Sequence, residues 1–281
     1  MRCHWQELIH LLPGWLKEPV DRLGKEDMQE LRLRLNLPPE IKTSNGAKSL
    51  DRPITKTDME FCLNMATRYS PWTSSGITEG FIAAVGGHRI GICGECVYEG
   101  DRFKNIGYIT SLCIRVAREF QDVSANIYLQ KGSYIIIGCP GSGKTTFLRD
   151  MIRKISNHEN GAVAVIDERR ELFPNSAGKF LFDRGKRTDV LSGCKKGTGL
   201  EMAIRTMSPT VVAVDEITDP IDCSALCRAS RCGVRLLATA HAGDKAEFYE
   251  RPIYQPLLEN SVFDRLIIMH PDKSWQEEKI T

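Results

Sequence analysis

One glycine-rich stretch limits what this chain can fold into more than any other, Gly138-Cys139-Pro140-Gly141-Ser142-Gly143-Lys144-Thr145. It has the spacing G-x-x-x-x-G-K-[ST] of a phosphate-binding loop. The apolar run Tyr134–Ile137 precedes it, and the residues after it place apolar side chains at helical spacing, which predicts a strand before the loop and a helix after it. This is the position that the motif requires, so we expect a phosphate site here.

The residue types of this loop suit a nucleoside triphosphate. Glycines allow the backbone to wrap so that its N–H groups face phosphate oxygens, and the start of the following helix adds its positive dipole end. We expect Lys144 to place a charge on the β- and γ-phosphates and the Thr145 hydroxyl to bind Mg²⁺. The expected ATP-binding residues are Gly138, Cys139, Pro140, Gly141, Ser142, Gly143, Lys144, Thr145 and Thr146.

A second apolar run, Val211–Val214, ends in two adjacent carboxylates, Asp215 and Glu216. Asp215 at the end of a buried strand can bind Mg²⁺ through water, as in a Walker B strand. Glu216 can orient or deprotonate an attacking water. A glutamate directly after this aspartate favours water as the nucleophile, and hence hydrolysis over phosphorylation of a small molecule.

Two further segments carry polar residues at predicted strand ends. Asp167-Glu168-Arg169-Arg170 follows one apolar run, and Thr239-Ala240-His241 closes another. Ligands in open α/β sheets bind outside the carboxyl ends of the strands. In additional-strand P-loop ATPases the strand after Walker B lies between the Walker A and Walker B strands. That order would point His241 toward the γ-phosphate, where it could sense it.

The chain reads as two unlike domains, predicted to span residues 1–125 and 126–281. The second contains short apolar runs that alternate with helical patterns, typical of a mostly parallel sheet covered on both faces. Its strands are expected at 134–137, 162–166, 211–214, 234–239 and 265–269, and its polar tail after residue 270 is expected to fray. The first is a smaller α+β domain, with strands expected at 28–35 and 108–116, a helix at 57–69, and a hairpin at 81–92 that turns at Gly86-Gly87.

Composition limits the partners and the compartment. Hydrophobic residues make up 42% of the chain, enough for a packed core. Thirty-eight Lys and Arg against 36 Asp and Glu leave a charge of +2, whereas proteins that grip long nucleic acid usually carry a larger basic excess. With ten cysteines and no signal-peptide or membrane-spanning run, we expect a cytoplasmic chain that reaches a membrane only through partners. Cys93 and Cys96 lack a second ligand pair for zinc, so we interpret them as ordinary strand and turn residues.

The strings GCPGSGKTT, VIDERREL, VVAVDEITD and ATAHAGD occur in this order and resemble the Walker A, Asp box, Walker B and His box of the type II/type IV secretion ATPase superfamily. GGHRIGICG, IRVARE and RTDVLSGCKKGTGLEMAIRTMSP more closely resemble its stage III sporulation branch. The resemblance covers about residues 28–270. It implies a RecA-like P-loop ATPase core preceded by the smaller α+β domain, nucleotide bound between the lobes, and a homo-oligomeric, hexameric ring. It also implies a motor that works with membrane-embedded channel components at the mother-cell face of the channel to the forespore.

The resemblance assigns roles to individual residues. Glu168 falls in the Asp box, Glu216 follows the Walker B aspartate and His241 lies in the His box. Either glutamate can position the water, and Glu216 is the preferred candidate. Arg89 and Arg115 match the arginines that N-terminal lobes present to nucleotide phosphates, with Arg118 as a third candidate. A guanidinium suits this role because it is planar, always charged and bidentate.

Two other functions remain open at this point. A nucleic-acid translocase on the same core would have aromatic residues interleaved with basic ones in the loops. The basic pairs Lys186-Arg187 and Lys195-Lys196 lack such aromatic neighbours, which argues against nucleic acid as a partner. A nucleotide-gated scaffold that binds ATP with little turnover would carry the same motifs.

Overall fold

The computed structural model describes residues 1–43, 45–68, 80–125, 127, 132–158, 161–176 and 178–280. Its contacts divide the chain into two compact units, Met1–Glu119 and Phe120–Thr281. The sequence-based domain boundary lies a few residues further on, between residues 125 and 126. Among the described helices, none is both long and apolar enough to cross a bilayer.

The first unit is an antiparallel sheet with helices packed on it. In chain order its elements are α1 (Trp5–His10), α2 (Gly14–Asp21), α3 (Gly24–Asp27), β1 (Met28–Arg34), β2 (Glu40–Thr43), β3 (Gly46–Ser49), α4 (Lys56–Thr67), β4 (Phe81–Ala83), β5 (Arg89–Glu99) and β6 (Arg102–Arg115). The sheet order is β3-β2-β1-β6-β5-β4, and every neighbouring pair is antiparallel. The three short N-terminal helices have no counterpart in the sequence-based prediction.

Strand β1 shows how the pattern sets the faces of this sheet. Leu31 and Leu33 are fully buried, whereas Arg32 between them is exposed. This alternation is the period-2 pattern that predicted a half-buried strand. The turn between β4 and β5 contains Gly86 and Gly87 at φ of 76° and 79°, as expected for a glycine pair in a tight turn.

Helix α4 is capped by two residues that lie three positions apart in the sequence. The Thr55 hydroxyl accepts a hydrogen bond from the Asp58 amide at 3.2 Å, and the Asp58 carboxylate accepts one from the Thr55 amide at 3.0 Å. This reciprocal pair satisfies two donors at the helix start. The predicted helix ran to Tyr69, which lies outside the described residues.

Cys93 and Cys96 lie exposed on β5, and within the described ranges no group of three His, Cys, Asp or Glu is placed to hold a metal ion.

The second unit is a doubly wound α/β sheet. In chain order its elements are β7 (Tyr134–Gly138), α5 (Lys144–His158), β8 (Val163–Asp167), β9 (Asn175–Ser176), β10 (Lys179–Phe180), β11 (Thr188–Ser192), α6 (Lys196–Met207), β12 (Val211–Ile217), α7 (Pro220–Ser230), β13 (Arg235–Ala240), α8 (Lys245–Glu250), α9 (Gln255–Glu259), β14 (Arg265–Met269) and β15 (Trp275–Lys279). The main sheet has the order β11-β8-β12-β13-β7-β14-β15. All its neighbouring pairs are parallel except β14 with β15.

Two features of this sheet were predicted and one was not. Strands β7 and β8 are buried along their whole length, as expected for a sheet covered on both faces. Strand β13 lies between β7 and β12, which confirms the strand order expected for an additional-strand ATPase. The expectation of a frayed tail after His270 is wrong, because residues 275–279 pair with β14 as an antiparallel edge strand.

Helix α5 packs on the sheet through one face. The side chains predicted for that face are all buried: Phe147, Leu148, Met151, Ile152 and Ile155. Full burial of such a side chain contributes about 1.5–3 kcal/mol each, so the face fixes the helix firmly against the strands. The start of α5 follows the loop at the end of β7, and this places the loop at the carboxyl edge of the sheet.

Candidate nucleotide-binding site

The glycines of the 138–145 loop are required by its geometry. A Cβ at Gly138 would lie 2.5 Å from the Ser142 hydroxyl oxygen and 2.6 Å from the Met269 carbonyl oxygen, which no side chain tolerates. Gly141 and Gly143 have φ of 77° and 101°, values that favour glycine. The loop therefore passes close to β14 and turns back into α5 in a path open only to these glycines.

The other predicted loop residues differ in exposure. Cys139 and Pro140 are exposed, Ser142 is buried, and Thr146 is half-buried in the first turn of α5. A loop that exposes some of its residues and ends at a helix N-terminus offers backbone N–H groups to an anion. The binding role of these residues stays a prediction.

Lys144 lies buried over the start of the loop. Its Nζ donates to the carbonyl oxygens of Gly138 at 2.7 Å and Cys139 at 3.0 Å. It also lies 3.2 Å from Nδ1 of His241. Burial lowers the pKa of the Lys144 ammonium, and the nearby carboxylates of Asp215 and Glu216 oppose that effect. A charged donor held in this way can exchange its imidazole partner for a phosphate oxygen.

A hydroxyl and a carboxylate meet beside Lys144. The Thr145 hydroxyl donates to Oδ2 of Asp215 at 2.8 Å, which joins the first turn of α5 to the end of β12. The Thr239 hydroxyl, from β13, donates to the other carboxylate oxygen of Asp215 and accepts the Glu216 amide at 2.7 Å. Hard oxygen donors of this kind are the ligands that Mg²⁺ prefers. The donor set at Thr145 and Asp215 therefore fits the magnesium ion that the sequence predicts.

His241 joins Lys144 to Glu216. An ammonium can only donate, so Nδ1 of His241 accepts from Lys144, and Nε2 then carries the proton that it donates to Oε1 of Glu216 at 2.9 Å. This assigns the Nε2–H tautomer. The His241 backbone is fixed by Tyr254, whose hydroxyl bonds to both the amide and the carbonyl at 3.2 Å.

The second carboxylate oxygen of Glu216 accepts a hydrogen bond from the Arg169 guanidinium. Burial raises the pKa of the Glu216 carboxyl, but the hydrogen bond from His241 and the charge of Arg169 outweigh it and hold this pKa below its ordinary value. Glu216 also has a φ of 57°, unusual for a residue with a side chain. Glu216 is therefore an ionised carboxylate held in a strained position next to the Lys144 group.

Glu168 has a different environment. Its carboxylate accepts from Nζ of Lys196 at 2.7 Å, and Lys196 also lies 3.3 Å from Asp222 on α7. Lys196 is almost completely buried, so the ion pair occupies Glu168 and ties the end of β8 to the starts of α6 and α7. The contacts of Glu216 thus join it to the loop lysine, whereas those of Glu168 are with structural helices.

Arg89 and Arg115 lie in the first unit, opposite one another on β5 and β6. The Arg89 guanidinium stacks over the Phe81 ring at 3.8 Å. Arg115 is mostly exposed and lies 3.9 Å from Glu30, its cross-strand partner on β1. Two guanidinium groups in one cross-strand pair can act on one anion, and their role toward nucleotide stays a prediction.

Sequence reasoning did not assign several residues that the structure brings into contact with this site. Thr239 and Arg169 were visible at strand ends, but only the fold shows that they contact Asp215 and Glu216. Lys196 was part of a basic pair without a role. Lys273, in the tail expected to fray, donates to the Gly141 carbonyl oxygen of the loop, and no local signal predicted this.

Known proteins resemble this chain over most of its length. Stage III sporulation protein AA of Bacillus subtilis (strain 168) is 32% identical over 274 residues, which cover 93% of this chain and 89% of that protein. The plant protein SEEDLING PLASTID DEVELOPMENT 1 of Arabidopsis thaliana is 24% identical over 254 residues, covering 88% of this chain and 35% of the plant protein.

Two solved structures share the fold. The Legionella pneumophila ATPase DotB matches with a TM-score of 0.63 at 15% identity, covering 95% of this chain and 79% of DotB. The pilus retraction motor PilT, solved with bound ADP, matches with a TM-score of 0.59 at 16% identity, covering 89% of this chain and 76% of PilT. At these identities the likeness shows the fold alone, the RecA-like α/β fold of secretion ATPases.

The sequence matches the family described as "Sporulation stage III, protein AA" over residues 6–278. That match covers most of both compact units, and it includes the glycine-rich loop and each strand end that carries a candidate site residue. The chain belongs to the family of stage III sporulation protein AA.

Proposed function

We propose that this protein is a Mg²⁺-dependent ATPase that works as a ring-shaped motor at a membrane channel during sporulation. The observation that supports it most is the meeting of Thr145 and Asp215, 2.8 Å apart, beside the Lys144 ammonium. A hydroxyl, a carboxylate and an ammonium brought together at a glycine-rich loop match what a metal-bound triphosphate needs. Family membership and the secretion-ATPase fold support the sporulation role.

Each residue has a distinct task in this reaction. Backbone amides of the loop and the start of α5 bind the phosphates, and Lys144 exchanges His241 for a phosphate oxygen. Thr145 and Asp215 would hold Mg²⁺, which when bound neutralises charge that develops on the phosphates. Glu216 accepts a proton at a carboxylate oxygen from the water that attacks the γ-phosphorus, as the bond to the β–γ bridging oxygen breaks.

The release of His241 from Lys144 links binding to chemistry. While His241 bridges Lys144 and Glu216, both carboxylate oxygens of Glu216 are occupied, one by His241 and the other by Arg169. A phosphate oxygen that takes the place of His241 on Lys144 frees the imidazole, and the carboxylate can then turn toward water. His241 would therefore report the presence of the γ-phosphate to Glu216.

The basic test compares nucleotide binding and phosphate release in the wild-type protein, Lys144→Ala and Lys186→Ala. Lys186 is an exposed lysine of the same unit with no contact to the loop among the described residues, so it controls for the loss of one charge. We expect Lys144→Ala to lose ATP affinity and Lys186→Ala to keep it. Unchanged affinity in Lys144→Ala would show that the loop is not the site.

The same assay separates the alternatives. Turnover that rises with added single-stranded DNA would favour a nucleic-acid translocase. Tight ATP binding with negligible phosphate release, with and without DNA, would favour a nucleotide-gated scaffold. Molecular mass in solution with and without ATP and Mg²⁺ tests the ring, for which we expect a hexamer.

The proposed arginines are tested separately from the loop. Arg89→Ala and Arg115→Ala should lower turnover more than they lower ATP affinity, because a guanidinium acts on charge that develops during the reaction. Arg102→Ala serves as the control, since this exposed arginine lies at the far end of the same hairpin. Full turnover in both variants would remove the first unit from the chemistry.

A further inference from the structure

The site has a direction set by strand order. The hydrolytic groups lie on one side of β7 and its loop: Asp215 and Glu216 near the carboxyl end of β12, and His241 directly after β13. The other neighbour of β7 is β14. A triphosphate on the loop must place its γ-phosphate at the hydrolytic groups. Its nucleoside end therefore extends toward β14.

The turn that follows β14 reaches the loop from that side. Lys273, the fourth residue after the end of β14, donates from Nζ to the carbonyl oxygen of Gly141. Its Cδ lies 3.7 Å from the position that a Cβ on Gly143 would take. The end of the Lys273 side chain thus lies against the loop, while the residue as a whole stays exposed to solvent.

The turn holds Lys273 in one position. The His270 amide donates to Ser274 at 2.9 Å, and the Lys273 amide donates to His270 at 3.0 Å. The Asp272 carboxylate accepts from both the amide and the hydroxyl of Ser274, at 2.9 and 2.6 Å. Lys273 itself has a φ of 73°, a costly conformation that persists only where the surroundings impose it.

The next residue anchors the turn to the loop helix. The Trp275 ring packs edge-on against Phe147 of α5, with ring centroids 5.2 Å apart. Residues 270–275 therefore contact the loop through Lys273 and the helix that follows the loop through Trp275. A lysine held in this way places its aliphatic stem at the edge of the phosphate site.

We propose that the turn 270–274 forms the nucleoside end of the site and that the Lys273 stem packs against the nucleoside of the bound nucleotide. This inference rests on the proposed nucleotide binding and adds a subsite to it. The Lys273 ammonium is held by the Gly141 carbonyl, which leaves its methylene groups to face the ligand. The subsite recognises nucleoside phosphates and contributes little to a phosphate chain alone.

The test measures affinity for ATP, ADP and inorganic tripolyphosphate by competition with a fluorescent nucleotide, in the full chain. We expect Lys273→Ala to bind ATP and ADP about tenfold more weakly, the order expected when an aliphatic stem of this size loses its contact. Affinity for tripolyphosphate, which has no nucleoside, should change by less than about twofold. Lys273→Met keeps most of the stem and should bind ATP within about threefold of wild type.

The controls separate this inference from the function it rests on. Lys279→Ala, an exposed lysine of β15 in the same hairpin, should leave all three affinities unchanged. Equal losses for ATP and tripolyphosphate in Lys273→Ala, or no loss for ATP, would overturn the subsite. Lys144→Ala should lose all three ligands, and if it binds ATP normally, the nucleotide-binding proposal fails instead. Thermal unfolding of each variant confirms that it is folded.

Discussion

Replacing Glu216 by glutamine tests which carboxylate acts as the general base for the attacking water. Glu216 contacts His241 at 2.9 Å and Arg169, and through His241 it reaches Lys144. Glutamine has nearly the same shape, and its amide oxygen can still accept from Arg169. The substitution therefore removes the negative charge and the basic oxygen while it leaves the side chain close to its position.

The size of the effect follows from this. Loss of a positioned general base lowers a rate by about 10²–10⁴-fold. We expect the lower end, about 100-fold, because Arg169 can still hold the amide in place, and 100-fold corresponds to about 2.7 kcal/mol of activation free energy. ATP affinity should stay close to wild type, because Glu216 has no contact with the loop backbone among the described residues.

The matched variant is Glu168→Gln. Glu168 pairs with the buried Lys196, which keeps a second carboxylate partner in Asp222. We expect this variant to change turnover by less than about tenfold and to lower stability modestly. Single-turnover phosphate release at saturating ATP and Mg²⁺ measures the rate in both glutamine variants. A loss of 100-fold in Glu168→Gln with less than tenfold in Glu216→Gln would refute the assignment of the base.

Three further substitutions test single contacts. Arg169→Gln removes a cation that lowers the pKa of Glu216, so the acid limb of the turnover–pH profile should move to higher pH, and an unmoved limb would contradict that role. Asp150→Ala removes a buried acceptor of the Ser124 amide and hydroxyl and should cost about 3 kcal/mol in urea unfolding, against less than about 1 kcal/mol for the exposed Asp122→Ala. Burial raises the pKa of the Asp150 carboxyl, but hydrogen bonds from Ser124 and Arg153 to its charged form outweigh that effect and lower this pKa. The stabilisation that Asp150 gives to the folded state is therefore complete above the ordinary aspartate pKa, and it is lost as the pH falls through the lowered pKa. Thr145→Val should raise the Mg²⁺ concentration needed for half-maximal turnover, and an unchanged requirement would place the metal elsewhere.

Local sequence signals predicted the second unit well, because the pattern of each of these elements is contained in a short stretch of residues. The loop glycines, the buried strands β7 and β8 and the apolar face of α5 each follow from residue type and spacing. The position of His241 beside the loop could be predicted from the expected strand order and from its place at the end of a strand. Both arguments hold because the strands of a parallel sheet end at one edge.

Contacts between distant segments could not be predicted in this way. The tail from Pro271 onward is polar, so nothing in it indicates a strand, yet pairing with the already ordered β14 supplies its hydrogen bonds. Strand β11 lies at the sheet edge and pairs with β8, and its half-buried, polar pattern gives no strong strand signal. The contact of Lys273 with Gly141 joins residues 132 positions apart, which only the fold brings together.

The central claim is that a triphosphate and its magnesium ion bind between the 138–146 loop and the end of β12. An experimental structure of the protein with Mg²⁺ and a slowly hydrolysed ATP analogue tests it most directly. We expect the phosphates on the loop amides and Lys144, with the metal between Thr145 and Asp215. A loop without phosphate density while the analogue binds elsewhere, or a metal held by other residues, would contradict the account.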